Sequence, residues 1–150
     1  ISNKYQVHID KLDKVISTFK FTGTATSTGV LANNKLIRVY SHGGMCPNGG
    51  CSSEILIYKD GKIEINGKSK EKISNTGIQA LINVINSTNY NAMLENKFTG
   101  ICPRAYDGIE IEYTFYSTKG QYVISSCKVE IDEYWELFQL LNKTLNKYTI

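Results

Sequence analysis

Residues 109–116 read Ile109-Glu110-Ile111-Glu112-Tyr113-Thr114-Phe115-Tyr116. Apolar and polar side chains alternate here, and this period of two is typical of a half-buried strand. We therefore expect Glu110 and Glu112 on the solvated face of a sheet. Residues 117–120 predict a turn into a return strand over 121–131, whose phase shift near Ser125-Ser126 indicates a bulge.

Earlier segments add further strands to the same sheet. Residues 35–41 predict a strand, and three short strands follow at 53–59, 62–65 and 68–73. Asp60-Gly61 and Asn66-Gly67 separate those three, and such pairs favour type I′ hairpin turns with positive φ at both central residues. The lysine-rich segment 68–72 suits an exposed edge strand, because lysines discourage pairing between sheet edges.

Two amphipathic helices follow from the apolar spacing. Ser74 is a suitable N-cap for a helix to about residue 87, and Asp132 for one to about residue 147. The apolar residues that share one face of these helices are Ile78, Leu81, Ile82 and Ile85 in the first, and Tyr134, Leu137, Phe138, Leu141, Leu145 and Tyr148 in the second.

The remaining segments complete a single-domain prediction over residues 1–150. Residues 1–13 resemble an arm or a first edge strand, and residues 14–22 alternate like a strand. Residues 23–34, 42–50 and 89–100 are interpreted as loops or irregular chain. The predicted class is α+β: a largely antiparallel sheet with two helices packed on it and two disulfides.

Four cysteines occur at Cys46, Cys51, Cys102 and Cys127. An even number in a small domain favours disulfides, and three pairings are possible. We favour Cys46–Cys51 with Cys102–Cys127, because each closes a local loop. Four reduced thiols are the alternative, and the spacings fit a structural zinc site poorly. Disulfides predict a secreted or extracellular protein, at a cell surface or in a periplasm.

Composition and charge argue against several classes of protein. The net charge of +3 arises from 17 basic and 14 acidic residues and argues against a nucleic-acid binder. The longest apolar run, Ile55–Tyr58, is far shorter than the roughly 20 residues of a membrane span. The chain begins at Ile1, so we expect a processed or trimmed chain without any signal peptide. The triplets at Asn86 and Asn142 match the glycosylation sequon, which matters only in a eukaryotic source.

Two cysteine-bounded segments are candidates for contact with a partner. Residues 42–51 contain four glycines, and a disulfide would present their side chains at low entropic cost. The partner-binding residues predicted there are Met45, Pro47, Asn48 and Gly49. The second segment, residues 102–108, adds Arg104 and Tyr106, whose residue types are common in binding hot spots. Each segment is alternatively a structural connection only.

Catalytic and cofactor signals are weak, and we predict no enzyme activity, no cofactor and no metal. Glu110 and Glu112 could act as an acid–base pair, but such residues more often form the wet face of a sheet, which is the interpretation we favour. His8 and His42 have no neighbouring residues that would make either a general base. A cysteine nucleophile needs a free thiolate, and all four cysteines are expected to be paired.

The order of turns and apolar positions resembles the emfourin-like family of small bacterial domains. The features that carry it are Gly43-Gly44, the strand Ile55–Tyr58 with Asp60-Gly61, Leu81, Asp107 leading to Tyr113, and Leu137, Leu140 and Leu141. The resemblance covers about residues 36–146 and implies inhibition of a thermolysin-type metalloprotease. The cysteines and the first 35 residues lie outside the shared pattern, and no inhibitory residue carries over.

We therefore expect a secreted, non-enzymatic domain that binds a protein partner, with protease inhibition as the implied activity. The second hypothesis is a subunit of an extracellular filament, in which residues 1–22 pair with the sheet edge of a neighbour. The third is a secreted glycan-binding domain, since ten tyrosines could line a sugar-binding surface.

Overall fold

The computed structural model describes residues 34–46 and 51–148. Six strands form one antiparallel sheet in the order β4-β3-β2-β1-β5-β6. The strands are β1 (Lys35–Gly43), β2 (Cys51–Tyr58), β3 (Ile63–Ile65), β4 (Lys68–Ser69), β5 (Ile109–Ser117) and β6 (Gly120–Ser125). The helices are α1 (Asn75–Ser87), α2 (Tyr90–Glu95) and α3 (Glu136–Leu145), with a 3-10 helix at Pro103–Tyr106. The predicted α+β class is confirmed.

The two glycine turns between β2 and β4 differ in conformation. Asn66 and Gly67 have φ values of +50° and +74°, as a type I′ turn requires. At the other connection only Gly61 has a positive φ, +84°, while Asp60 accepts a hydrogen bond from the Lys62 N–H through its side chain. The type I′ prediction is therefore right for Asn66-Gly67 and wrong for Asp60-Gly61.

The core lies between the helices and one face of the sheet. Its buried apolar strand residues are Leu36, Ile37, Val39, Ile57, Ile63, Phe115 and Ile124. Phe138 of α3 stands edge-on to Tyr113 of β5 with the ring centroids 4.9 Å apart. Tyr90 of α2 stacks on Tyr122 of β6 at 4.0 Å. These contacts place α2 and α3 on the same face of the sheet, and α1 contacts both β5 and α3.

The two long helices were largely predicted, but only the first begins where the sequence predicts. Ser74 caps α1 by accepting a hydrogen bond from the Gly77 N–H. The last helix begins at Glu136 rather than after Asp132, because Asp132 accepts hydrogen bonds from the Tyr134 and Trp135 N–H groups and forms a turn. Tyr134 is consequently exposed, not part of the buried face.

Three further predictions about elements were wrong. Residues 89–100 contain α2, whose Tyr90 and Met93 are buried one helical turn apart. The return strand ends at Ser125, because the Ser125 carbonyl accepts hydrogen bonds from the Lys128 and Val129 N–H groups and turns the chain. The segment 68–73 contributes only two residues to β4, although β4 does form an edge of the sheet.

Several predictions lie outside the described residues. These are the arm at 1–13, the strand at 14–22, nearly all of the loop at 23–34 and part of the 42–50 loop. The prediction of a single domain over residues 1–150 therefore stays a prediction.

Candidate functional site

Both favoured disulfides are present. Cys46 bonds to Cys51 with a Cα–Cα distance of 5.5 Å, and Cys102 bonds to Cys127 with 4.8 Å. The first disulfide joins the ends of β1 and β2. The second joins the segment before β5 to the turn after β6. The two candidate binding segments are therefore anchored to neighbouring strands.

The described part of the first segment, residues 42–46, and residues 101–109 contact each other; we call these two stretches the paired segments. Gly43 lies opposite Ile109 in the β1–β5 ladder, and the Gly44 N–H donates to the Gly108 carbonyl at 3.0 Å. A Cβ at Gly43 would lie 2.5 Å from the Gly108 oxygen, and φ there is +107°. Glycine at 43 is thus required for this close approach.

The paired segments contain most of the exposed large apolar side chains among the described residues. Six large apolar side chains in the described part of the chain are exposed, and four of them belong to these segments. The four are Met45, Ile101, Tyr106 and Ile109, each more than half exposed. The Ile109 Cγ1 atom lies 3.6 Å from the point where a Cβ on Gly44 would be. Ile109 is therefore close to Gly44, the residue that precedes Met45 in the chain. Exposed apolar groups in one region are typical of an interaction site.

The predicted partner-binding residues have different environments. Met45 and Tyr106 are exposed, and Tyr106 ends the 3-10 helix. Arg104 lies in that helix and donates a hydrogen bond to the Glu110 carboxylate at 3.0 Å, so part of its guanidinium is engaged within the chain. Pro47, Asn48 and Gly49 lie outside the described residues.

Two exposed members of the paired segments were not predicted as contacts. Ile101 has no distinctive pattern around it, although it precedes Cys102 directly. Ile109 belongs to the alternation that predicts inward side chains, but it is exposed at the very start of β5. The Asp107-Gly108 turn immediately before Ile109 was the available signal that the sheet begins there.

Glu110 is buried beneath the paired segments, which corrects the prediction of a solvated position. The residue is 8% exposed. Its carboxylate accepts hydrogen bonds from the Ser125 hydroxyl at 2.5 Å and from Arg104, and His42 Nε2 lies 3.6 Å away. The donors Ser125 and Arg104 hold the pKa of Glu110 below its usual value. Burial is tolerated because the charge is hydrogen-bonded on both oxygens.

His42 also differs from its prediction, because it belongs to β1 and not to a loop. Its ring stacks on Tyr40 with the centroids 5.1 Å apart. The Arg38 guanidinium also lies over the Tyr40 ring, 4.6 Å from its centroid. Arg38 forms an ion pair with Glu54. Glu112 lies 3.6 Å from Arg38. The two glutamates of β5 therefore pair with different cations instead of forming an acid–base pair.

Serine, histidine and carboxylate side chains occur together here, but in an unusual order for nucleophilic catalysis. In a catalytic triad the histidine takes the serine proton and the carboxylate orients the histidine. Ser125 instead donates directly to Glu110, and His42 approaches the other carboxylate oxygen. The Ser125 hydroxyl thus keeps its proton and donates its hydrogen bond to a carboxylate, which is a weaker base than the histidine of a catalytic triad.

A metal ion fits this cluster poorly. The ligand atoms of Cys102, Glu110 and Cys127 lie within 4.8 Å of one another. Both sulfurs are bonded to each other, so neither is the thiolate that binds metals. The remaining carboxylate already accepts hydrogen bonds from Ser125 and Arg104.

No protein-family model matches the chain, and no curated protein matches it. The resemblance to emfourin-like domains accordingly stays a prediction. None of the helices at residues 34–46 and 51–148 is long and apolar enough to cross a membrane.

Proposed function

We propose that this chain is a secreted, non-enzymatic domain that binds a protein partner through the paired segments. The supporting observation is that four of the six exposed large apolar side chains of the described residues belong to these segments. Exposing such groups is unfavourable in water, and burial against a partner removes that cost. The two disulfides support an oxidising, extracellular location.

The anchoring of the paired segments also favours binding. Each segment is held by a disulfide, and the Gly44–Gly108 hydrogen bond joins the two. Buried Glu110 fixes Arg104 from below. A surface held in this way loses little conformational entropy when a partner binds.

Protease inhibition is the activity implied by the emfourin-like resemblance, and thermolysin is the probe for it. We expect the full chain to inhibit cleavage of a peptide substrate and Tyr106→Ala to weaken inhibition about tenfold or more, since exposed tyrosines are frequent hot spots. Tyr134→Ala is the matched control, because Tyr134 is also an exposed tyrosine but lies outside the paired segments. Absence of inhibition by the unmodified chain would remove thermolysin-type proteases as partners.

Partner binding in general is tested by immobilising the unmodified chain, Tyr106→Ala and Tyr134→Ala separately. A mixture of secreted proteins is then passed over each of them. A protein retained by the unmodified chain and by Tyr134→Ala, but lost with Tyr106→Ala, supports the proposal. Retention of the same proteins by all three would exclude the paired segments as the contact.

The filament hypothesis depends on residues 1–22, which lie outside the described part of the chain.

A further inference from the structure

The two edges of the sheet differ in how they are protected against pairing. β4 has two residues, one of them Lys68, and the chain continues as Lys70-Glu71-Lys72. A short, lysine-rich edge discourages further strands. β6 has six residues, Gly120–Ser125, with neither proline nor a charged side chain. It pairs with β5 in an unbroken register from Ser117–Gly120 to Glu112–Ser125. The sequence of β6 itself therefore contains no charge, proline or bulge that would discourage a further strand.

The backbone groups that β6 turns away from β5 can be assigned. The Ser126 N–H donates to the Ile111 carbonyl. Because hydrogen-bonded pairs alternate in an antiparallel ladder, the backbone N–H and C=O groups of the even-numbered β6 residues point toward β5. The N–H and C=O groups of Gln121 and Val123 then point outward. The Ser125 carbonyl also points outward and accepts from Lys128 and Val129, which ends the edge there. Among the described residues, no backbone group pairs with Gln121 or Val123 on the outer side.

The side chains of β6 favour a second copy of the same strand as the occupant of this edge. Val123, at the middle of the outward positions, is 43% exposed. A twofold axis perpendicular to the sheet can run between the Val123 residues of two copies. It places Val123 opposite Val123 of the second copy, and Gln121 opposite Ser125 of the second copy. Because β6 is uncharged, self-pairing opposes no like charges. The two sheets would continue as one, with all helices on the same side.

We propose that β6 is a homodimer interface, in which the β6 strands of two copies pair antiparallel about Val123. This interface lies outside the paired segments and is independent of the proposed function. The interface is isologous, so it closes with two chains.

Analytical ultracentrifugation of the full chain across a concentration series tests this proposal. We expect a monomer–dimer equilibrium and a dissociation constant at least about tenfold higher for Val123→Lys, since lysines would then oppose each other across the axis. Val123→Thr should retain the dimer, because threonine is β-branched and uncharged. Ser69→Lys on β4 is the second control and should also dimerise. A monomer at every concentration, or a dimer unaffected by Val123→Lys, would overturn the interface.

Amide hydrogen exchange supplies a readout on the unmodified chain that does not depend on a variant folding. The Gln121 and Val123 amides should become protected as the protein concentration rises, while the Tyr122 and Ile124 amides, which face β5, are protected throughout. If the Gln121 and Val123 amides were as protected in dilute protein as in concentrated protein, the edge would be covered within one chain and the proposal would fail.

Discussion

Glu110 illustrates how a single residue acquires a role that its sequence neighbours do not show. Its position in an alternating strand predicts a solvated side chain, yet Ser125 and Arg104 surround it in the folded chain. Both donors come from outside β5: Ser125 reaches Glu110 through the β5–β6 hairpin, and Arg104 lies in the 3-10 helix just before β5. The carboxylate thus stabilises the paired segments from beneath.

Replacing Glu110 should therefore destabilise the fold in a pH-dependent way. The pKa of Glu110 is lowered by folding, so its contribution is fully present above the ordinary glutamate pKa of about 4.3 and is lost as the pH falls through the folded-state value. We expect Glu110→Gln to lower the free energy of unfolding by about 1–3 kcal/mol at pH 7. This difference should shrink as the pH falls below about 4.3.

Urea unfolding at several pH values measures this effect, with Glu112→Gln as the matched control. Glu112 lies on the same strand face but is more exposed and 3.6 Å from its partner Arg38, so its loss should cost less than about 1 kcal/mol. Equal destabilisation by the two variants at neutral pH would contradict the role assigned to Glu110.

At the scale of elements, one side chain connects α1 to the β5–β6 turn. The Asn86 Oδ1 atom, in the last turn of α1, accepts hydrogen bonds from the Ser117 hydroxyl, the Thr118 N–H and the Thr118 hydroxyl. The turn would otherwise leave these donors to water. The Oδ1 atom of Asn86, which matches a glycosylation sequon, is thus engaged within the fold.

Asn86→Ala should destabilise the chain by about 1–2 kcal/mol, because three hydrogen-bond donors lose their acceptor. Asn86→Asp keeps an oxygen at the same place and should recover most of that loss. Thermal and urea unfolding of the three proteins compare them. If alanine and aspartate gave the same stability as asparagine, these hydrogen bonds would contribute nothing to the fold.

At the scale of the whole molecule, the two disulfides close loops of different length. Cys46–Cys51 spans 5 positions and Cys102–Cys127 spans 25. The second links the segment before β5 to the turn after β6, so it constrains a larger part of the unfolded chain. Chain entropy gives about 2 kcal/mol for the first and about 3.5 kcal/mol for the second.

The double variant Cys102→Ala/Cys127→Ala should therefore lose more stability than Cys46→Ala/Cys51→Ala. The expected difference between their free energies of unfolding is about 1.5 kcal/mol, measured in urea under identical conditions. The reverse order would mean that native-state contacts around Cys46–Cys51 outweigh the entropy of the unfolded chain.

Local patterns predicted much of the architecture, because they depend on neighbours in the chain. The alternation at 109–116, the type I′ turn at Asn66-Gly67 and the cap at Ser74 all follow from short-range chemistry. Short loops also favoured the correct disulfide pairing among three possibilities. In the second amphipathic helix, Leu137, Phe138 and Leu141 are buried as their spacing predicts.

Tertiary structure alone decided the environment of the candidate site. The approach of Gly43 and Gly44 to Gly108 joins segments about sixty residues apart in sequence, and no periodic pattern encodes it. The burial of Glu110 and the exposure of Ile109 depend on where the sheet ends and what lies over it. A strand pattern determines which side chains share a face, but the packing of distant segments determines which part of that face meets water.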